Sequence, residues 1–460
     1  MSRAALPFDM AGLMAAYADG AVTPLDATED QLERIARLDG VLNSYVTVCR
    51  ESALKQAESA TAAWRQGGPK PALLGVPINV KDIFETAGIR TTCSSRILHD
   101  HVPTRDATIV ARLRKAGAVL LGKANMLEFA YGAIHPDYGP AHNPWDPRRS
   151  TSGSSSGSAA SVGGGLAYGS VGTDTGGSIR IPSAYCGLVG IKPTYGLVPR
   201  TGCYALSWSL DHVGPMTRTV RDAAILLQVL AGHDLDDPGS AHATAGNYPA
   251  DVERSIRGLR VGVWAELGAV GVTEGVQRQF NAALAGLKDA GAVVRDVAVP
   301  ERIHTDTLFM GILLPEATSI HMQWLRERPE DYASDTRLRI TAGAAMPSSF
   351  YIDAQRYRRI YRSAFERVLQ DVDVIVVPTT PTTAPIEGDI AGLPELTMRT
   401  APFEPSPAGE PMISAPQTSR SWRRSGDTFS GMTTFSLYPF TFATRARPIP
   451  VFPDDGSRSV

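Results

Sequence analysis

Ser178 follows Asp174-Thr175-Gly176-Gly177 and closes the stretch 151–178, TSGSSSGSAASVGGGLAYGSVGTDTGGS. Glycine and serine dominate it, but Val162, Leu166, Tyr168 and Val171 interrupt at intervals that a flexible linker lacks, so it reads as packed backbone. Consecutive Gly176 and Gly177 can turn several N–H groups toward one point, a geometry that holds the oxyanion developing in acyl transfer. The same residues suit a tight turn or an anion nest without chemistry. A serine nucleophile needs a base, and none of the nine histidines stands in a recognisable motif. Lys81 follows the apolar run LLGVPINV. Burial there would remove its solvation, lower its pKa and leave an amine able to accept a proton; a strand-end lysine reaching solvent fits the spacing equally. The segment Gly153-Ser154-Ser155-Ser156-Gly157 also satisfies the GxSxG pattern, with Ser155 as nucleophile. That elbow needs a strand directly before it, and PWDPRR at 144–149 is turn-like, so the match is one of chance.

The elements that must position these residues alternate. Thr23-Pro24 is a helix start, with apolar positions at helical spacing up to Gly40, and a second helix is expected over 51–65. Strands are expected over 73–80, 118–121, 187–191, 260–264, 293–299 and 372–377. Further helices are expected over 107–116, 124–130, 220–230, 274–290, 305–328 and 353–369. Such alternation implies a largely parallel sheet with helices on its faces.

With 460 residues the chain is long enough to bury a sizeable core, and its net charge of −2 marks no extended basic surface for nucleic acid. No run of 18 apolar residues suggests a membrane span. The start carries Asp9 and Asp19 within a short apolar run, which fits an amphipathic helix better than a signal peptide. Four widely spaced cysteines (Cys49, Cys93, Cys186, Cys203) form neither a disulfide framework nor a zinc motif, which points to a reducing cytoplasm.

Five segments resemble the amidase signature family, in that family's order: LLGVPINVKD, GKANMLEFAYG, NPWDPRRSTSGSSSGSAA, GSVGTDTGGSIRIPSAYCGLVGIKPTYG and VDVIVVPTTPTTAP. The resemblance covers most of the chain to about residue 416. It implies an α/β fold, with a single large mixed β-sheet covered by helices on both faces, and a Ser-cisSer-Lys triad. Lys81 would be the general base, Ser154 the serine after a cis peptide bond, and Ser178 the nucleophile that carries the acyl group. The amides of Thr175, Gly176, Gly177 and Ser178 would form the oxyanion hole, with Ser155, Asp174 and Arg180 supporting the loop by hydrogen bonds. Tyr131 and Gly132 correspond to the segment lining the acyl pocket, and no metal or cofactor is implied.

One domain is expected over 1–460, with its core at about 65–230 and 255–416, less regular active-site cover at about 230–350, and an atypical tail at 417–460. Ser152 stands where the family usually has a glycine. The activity implied is hydrolysis of amide C–N bonds, extending to esters, anilides or carbamates, by a cytoplasmic monomer or homodimer. Its only partner would be a small amide-like substrate, with no nucleic acid and no membrane. The alternative is the glutaminase (A) subunit of a tRNA-dependent amidotransferase. It ranks lower because MRTAPFEPSPAG offers only Glu404 as a carboxylate, and nothing marks that residue as a glutamine contact. A non-catalytic binding protein of the same fold comes third, opposed by the intact Lys81, Ser154 and Ser178 set.

Overall fold

The structure, a computed structural model, describes residues 6–131, 134–242, 246–264, 271–299 and 305–387. Gly132, Glu404 and the tail 417–460 lie outside the described residues. The strands are β1 (Tyr45–Val48), β2 (Pro77–Lys81), β3 (Val119–Ala124), β4 (Gly169–Asp174), β5 (Val189–Gly190), β6 (His212–Thr217), β7 (Arg260–Trp264), β8 (Val293–Val297) and β9 (Val374–Val376). The helices are α1 (Met10–Ala18), α2 (Pro24–Leu42), α3 (Arg50–Arg65), α4 (Thr108–Lys115), α5 (Ser156–Gly163), α6 (Arg180–Tyr185), α7 (Val220–Leu230), α8 (Tyr248–Asp251), α9 (Glu274–Asp289), α10 (Thr305–Glu327), α11 (Ser334–Ala342) and α12 (Ser348–Asp371).

The six strands β1 to β6 form a mixed sheet in the order β1-β3-β2-β4-β6-β5. At its centre β2 runs parallel to both β3 and β4, with Val80 beside Val171, while β1, β5 and β6 pair antiparallel. Alternate residues of β3 enter different cores, as the pleat requires. Leu120 joins Ile78, Val80 and Val171 beneath α1, α4 and α7, whereas Val119 and Leu121 join α2, α3 and α5. Helices therefore cover both faces of this sheet, in keeping with the α/β expectation. A second, all-parallel sheet has the order β8-β7-β9.

Local chemistry explains several boundaries. At the start of α2, Thr23 and Asp26 form a reciprocal capping box with Pro24 in the first turn. β2 is buried on both faces at all five residues, which is why its sequence is a nearly continuous apolar run rather than an alternation. The helix expected over 124–130 does not form. β3 continues to Ala124, the Asn125 side chain accepts the Met126 N–H at 2.7 Å, and only one 3-10 turn follows, Glu128–Ala130. That side-chain bond competes with helix, and Phe129 at φ 46° and Ala130 at φ 60° turn the chain out of it. Around 230–350, where less regular cover was expected, lie β7, β8 and the helices α9 to α11.

The end of β2 is anchored by a second buried lysine. Lys123 Nζ lies 3.2 Å from Asp82 Oδ1 and donates to Phe84 O at 2.8 Å and Thr91 Oγ1 at 2.5 Å. Asp82 Oδ2 accepts from Thr92 N at 2.9 Å and Thr92 Oγ1 at 2.5 Å, which pins the loop after β2 to its base. Both side chains are fully buried. Lys123→Met leaves Asp82 buried without its cation and is expected to destabilise the fold by about 3–5 kcal/mol, measured by denaturant unfolding; a loss below 1 kcal/mol would contradict this account.

Candidate active site

Lys81 is the last residue of β2 and is 0% exposed. Its Nζ contacts Ser154 Oγ at 2.7 Å and Thr173 Oγ1 at 2.7 Å. Burial lowers its pKa to about 7, against smaller opposing effects from Cys203, Asp211, Asp174 and Cys93. At neutral pH a large fraction of this side chain is therefore an uncharged amine held against a hydroxyl. Of the two situations open to a strand-end lysine, burial is the one observed.

Ser154 is 2% exposed, and the peptide bond joining it to Gly153 is cis. Its carbonyl accepts from Leu127 N at 3.1 Å, which fixes the loop against the segment after β3. Ser155 Oγ donates to Thr173 O at 3.2 Å and accepts from Thr173 N at 3.3 Å, and Ser155 N donates to Ser178 O at 3.3 Å. Ser155 thus ties the serine loop to β4 and to the bend beyond it. No strand runs into the GxSxG segment, as the turn-like 144–149 anticipated.

The bend 175–178 is organised by Asp174, whose carboxylate accepts Gly177 N at 2.8 Å, Ile179 N at 3.2 Å and Arg180 N at 3.4 Å. Arg180 donates to it through Nε and Nη2, each at 2.8 Å. Burial alone would raise the Asp174 pKa, but the guanidinium beside it holds the carboxyl well below the usual range, so the bend is built on a buried carboxylate. Two glycines are tightly packed here. A Cβ on Gly177, at φ 132°, would lie 2.5 Å from Ile181 Cδ1, and one on Gly176 would lie 2.4 Å from Phe309 Cζ. The Gly177 amide is spent on Asp174, whereas those of Thr175, Gly176 and Ser178 have no hydrogen-bond partner among the described residues. Three of the four expected N–H groups are thus unpaired among the described residues. Lys81 and Ser154 are buried, whereas Ser178 is half-buried.

Among the remaining expected residues, Tyr131 is 6% exposed and its hydroxyl is buried without a hydrogen-bond partner among the described residues. Thr173 escaped the reading of the sequence although it touches Lys81. The sequence places that threonine two positions before Thr175 in GSVGTD, but the stretch reads only as packed backbone with no strand assigned to it. No cluster of three or more His, Cys, Asp or Glu able to hold a metal ion occurs among the described residues, and no described helix is long and apolar enough to cross a membrane.

Comparison with known proteins assigns the class: an enzyme acting on carbon–nitrogen bonds, with an α/β fold. The chain belongs to the amidase family, whose pattern matches residues 26–403. It is 39% identical over 406 residues to the A subunit of the glutamyl-tRNA(Gln) amidotransferase of Anaeromyxobacter dehalogenans, covering 83% of this chain and 82% of the relative. Among solved structures it superposes with TM-score 0.80 and 33% identity, over 83% of each chain, on a protein from a vestigial complex that bears on the origins of an s-triazine catabolic enzyme. The A subunit of the Thermotoga maritima glutamyl-tRNA(Gln) amidotransferase superposes with TM-score 0.72 and 32% identity, over 86% of each chain. These findings favour the amidotransferase alternative over a stand-alone amidase. They also correct the expected partners. A monomer or homodimer meeting only a small amide, with no nucleic acid in its work, is overturned by relatives that are each one subunit of an enzyme named for a tRNA.

Ser152 adopts φ 59°, the left-handed region in which a Cβ is strained, at the position where the family usually has glycine. Ser152→Gly is expected to raise stability by about 1 kcal/mol with the Lys81–Ser154 contact preserved; a fall in thermal midpoint would show that the serine relieves this strain through its own hydrogen bonds.

Proposed function

We propose that this chain is the glutaminase subunit of a tRNA-dependent amidotransferase, releasing ammonia from the side-chain amide of glutamine through an acyl-enzyme on Ser178. The observation that carries the reading is the 39% identity to a relative from such an enzyme, spanning 83% of this chain and 82% of the relative. The assembly would include partner chains that use the ammonia on a charged tRNA. The four free cysteines support a cytoplasmic setting.

In this mechanism neutral Lys81 takes the proton of Ser154 as Ser154 takes that of Ser178, and Ser178 Oγ bonds to the amide carbon. The amides of Thr175, Gly176 and Ser178 hold the oxyanion. The same relay returns the proton to the amide nitrogen, the C–N bond breaks and ammonia leaves. Water then attacks the ester carbonyl by the reverse path, freeing glutamate and Ser178. Asp174, Arg180 and Ser155 keep the two loops in place, and Tyr131 contacts the substrate.

The pH dependence follows from the depressed lysine. Below its pKa of about 7 Lys81 is an ammonium and cannot accept the Ser154 proton; above it the amine is present, so activity rises with pH through about 7 and then levels. Lys81→Met should abolish that limb and lower kcat by about 10²- to 10⁴-fold. An unchanged pH profile in the mutant would remove Lys81 from the role of base. Ser178→Ala should eliminate glutamine hydrolysis.

The subunit reading is tested by measuring ammonia release from glutamine with the chain alone and with the remaining subunits of a relative's amidotransferase and charged tRNA. Glutamine hydrolysis stimulated by the complete assembly is expected. Rapid turnover of anilides, esters or carbamates by the chain alone, with no glutamine hydrolysis in either condition, would replace it with a free-standing amidase.

A further inference from the structure

The bend that carries Ser178 is held from outside its own loop as well as by Asp174. Thr175 Oγ1 donates to Asp211 Oδ1 at 2.6 Å, and Asp211 Oδ2 accepts the backbone amides of Leu206 and Ser207 at 2.8 Å and 2.9 Å. The same turn is gripped from its far side by Glu316 of α10. Glu316 Oε2 accepts from Ser207 Oγ at 2.5 Å and Ser209 N at 3.1 Å, and Oε1 accepts from Ser209 Oγ at 2.7 Å and Tyr351 OH at 2.9 Å. Glu316 is 1% exposed and Asp211 is 6% exposed. Two buried carboxylates thus share one turn. Such groups remain buried only when fully hydrogen-bonded, so neither can shift without leaving donors unsatisfied.

A second contact comes from the same helix face. Phe309 stands seven positions before Glu316, two helical turns away, and its ring closes on Gly176 so tightly that any Cβ there would clash. One helix therefore meets the bend at Gly176 directly and at Thr175 through the turn 206–211.

We propose that α10 sets the geometry of the oxyanion bend, with Glu316 as a positioning residue that acts through Ser207 and Asp211 on Thr175. The inference rests on the acyl-enzyme reading above and extends it: the catalytic bend is competent only while α10 is seated, so the helical cover and the chemistry are coupled. Glu316 does not touch the reacting atoms. Its effect is on the direction of the Thr175, Gly176 and Ser178 amides, and therefore on rate rather than on ground-state binding.

The test follows the rate at which an alkyl fluorophosphonate labels the protein, because its phosphoryl oxygen needs the same amides as the oxyanion, together with kcat and KM for glutamine in the complete assembly. Thr175→Val and Glu316→Gln are each expected to slow labelling roughly 10- to 100-fold and to lower kcat similarly with KM within about threefold. Thr175→Ser, which keeps the hydroxyl, should restore most of the rate. The double variant should be no more than about threefold slower than the worse single one, since both break the same relay. Tyr351→Phe, which removes one donor to Glu316, should show a smaller loss and carries the Glu316 test if Glu316→Gln does not fold. Wild-type labelling in Glu316→Gln or in Tyr351→Phe, multiplicative losses in the double variant, or an effect confined to KM would overturn the proposal. Ser178→Ala separates the two readings. If it remains labelled at the wild-type rate the acyl-enzyme reading fails; if it is unlabelled while Glu316→Gln behaves as wild type, only the positioning role fails.

Discussion

The site depends on keeping one amine dry. Lys81 is held between Ser154 and Thr173 at 2.7 Å from each, with no exposed surface, and burial is the largest influence on its proton affinity. Three separate pieces of chain must meet to achieve this: the end of β2, the serine loop before α5, and the end of β4. The parallel pairing of β2 with β4 brings two of them together, and Ser155 draws in the third through its bonds to Thr173 and Ser178. The carboxylate directly after Lys81 belongs to Asp82, which is paired with Lys123. A charged neighbour is thus present at the base of the site but already compensated.

The serine loop and the bend differ in how they are constrained. Around Ser154 the constraint is burial and hydrogen bonding to β4 and to Leu127; around Ser178 it is an ion pair, Asp174 with Arg180, whose acceptor atoms are shared with three backbone amides. An ion pair of this kind is a poor source of net stability, since desolvating both charges offsets most of their attraction. It gives direction instead. By occupying the Gly177 amide it leaves the neighbouring amides of Gly176 and Ser178, with that of Thr175, as the donors still open.

Much of this was legible in the chain. Lys81 could be placed because a continuous apolar run is how a strand buried on both faces must read, and β7 and α7 showed their bounds because their periodicity is undiluted. β4 and α5 were not legible as elements. GSVGTD and SGSAASVG are made of residues with weak preference for strand or helix, and they adopt those states because small side chains let them sit in crowded surroundings: all six residues of β4 and seven of the eight in α5 are buried. Thr173 was missed for the same reason, since without the strand there was no reason to aim its hydroxyl at Lys81. The expected helix over 124–130 gave way to the end of β3, to the bond from Met126 N to the Asn125 side chain, and to the left-handed backbone at Phe129 and Ala130, none of which periodicity reports. The roles of α10 lay further out of reach. Glu316 and Ser207 are 109 positions apart, and only the fold makes them neighbours.

The segment after β9 returns to the foot of the serine loop. Ser150 N donates to Pro385 O at 2.9 Å, Glu387 N donates to Arg148 O at 2.9 Å, and Arg149 Nη1 donates to Ala384 O at 2.6 Å across 235 positions. Ser154 is four residues beyond Ser150. On a ribosome, the strand bearing Lys81 and the glycine bend are synthesised long before residue 387, but the flank of the serine loop lacks these bonds until the segment 384–387 emerges. The bonds that close the flank of this loop can therefore form only when nearly all of the described fold has been synthesised.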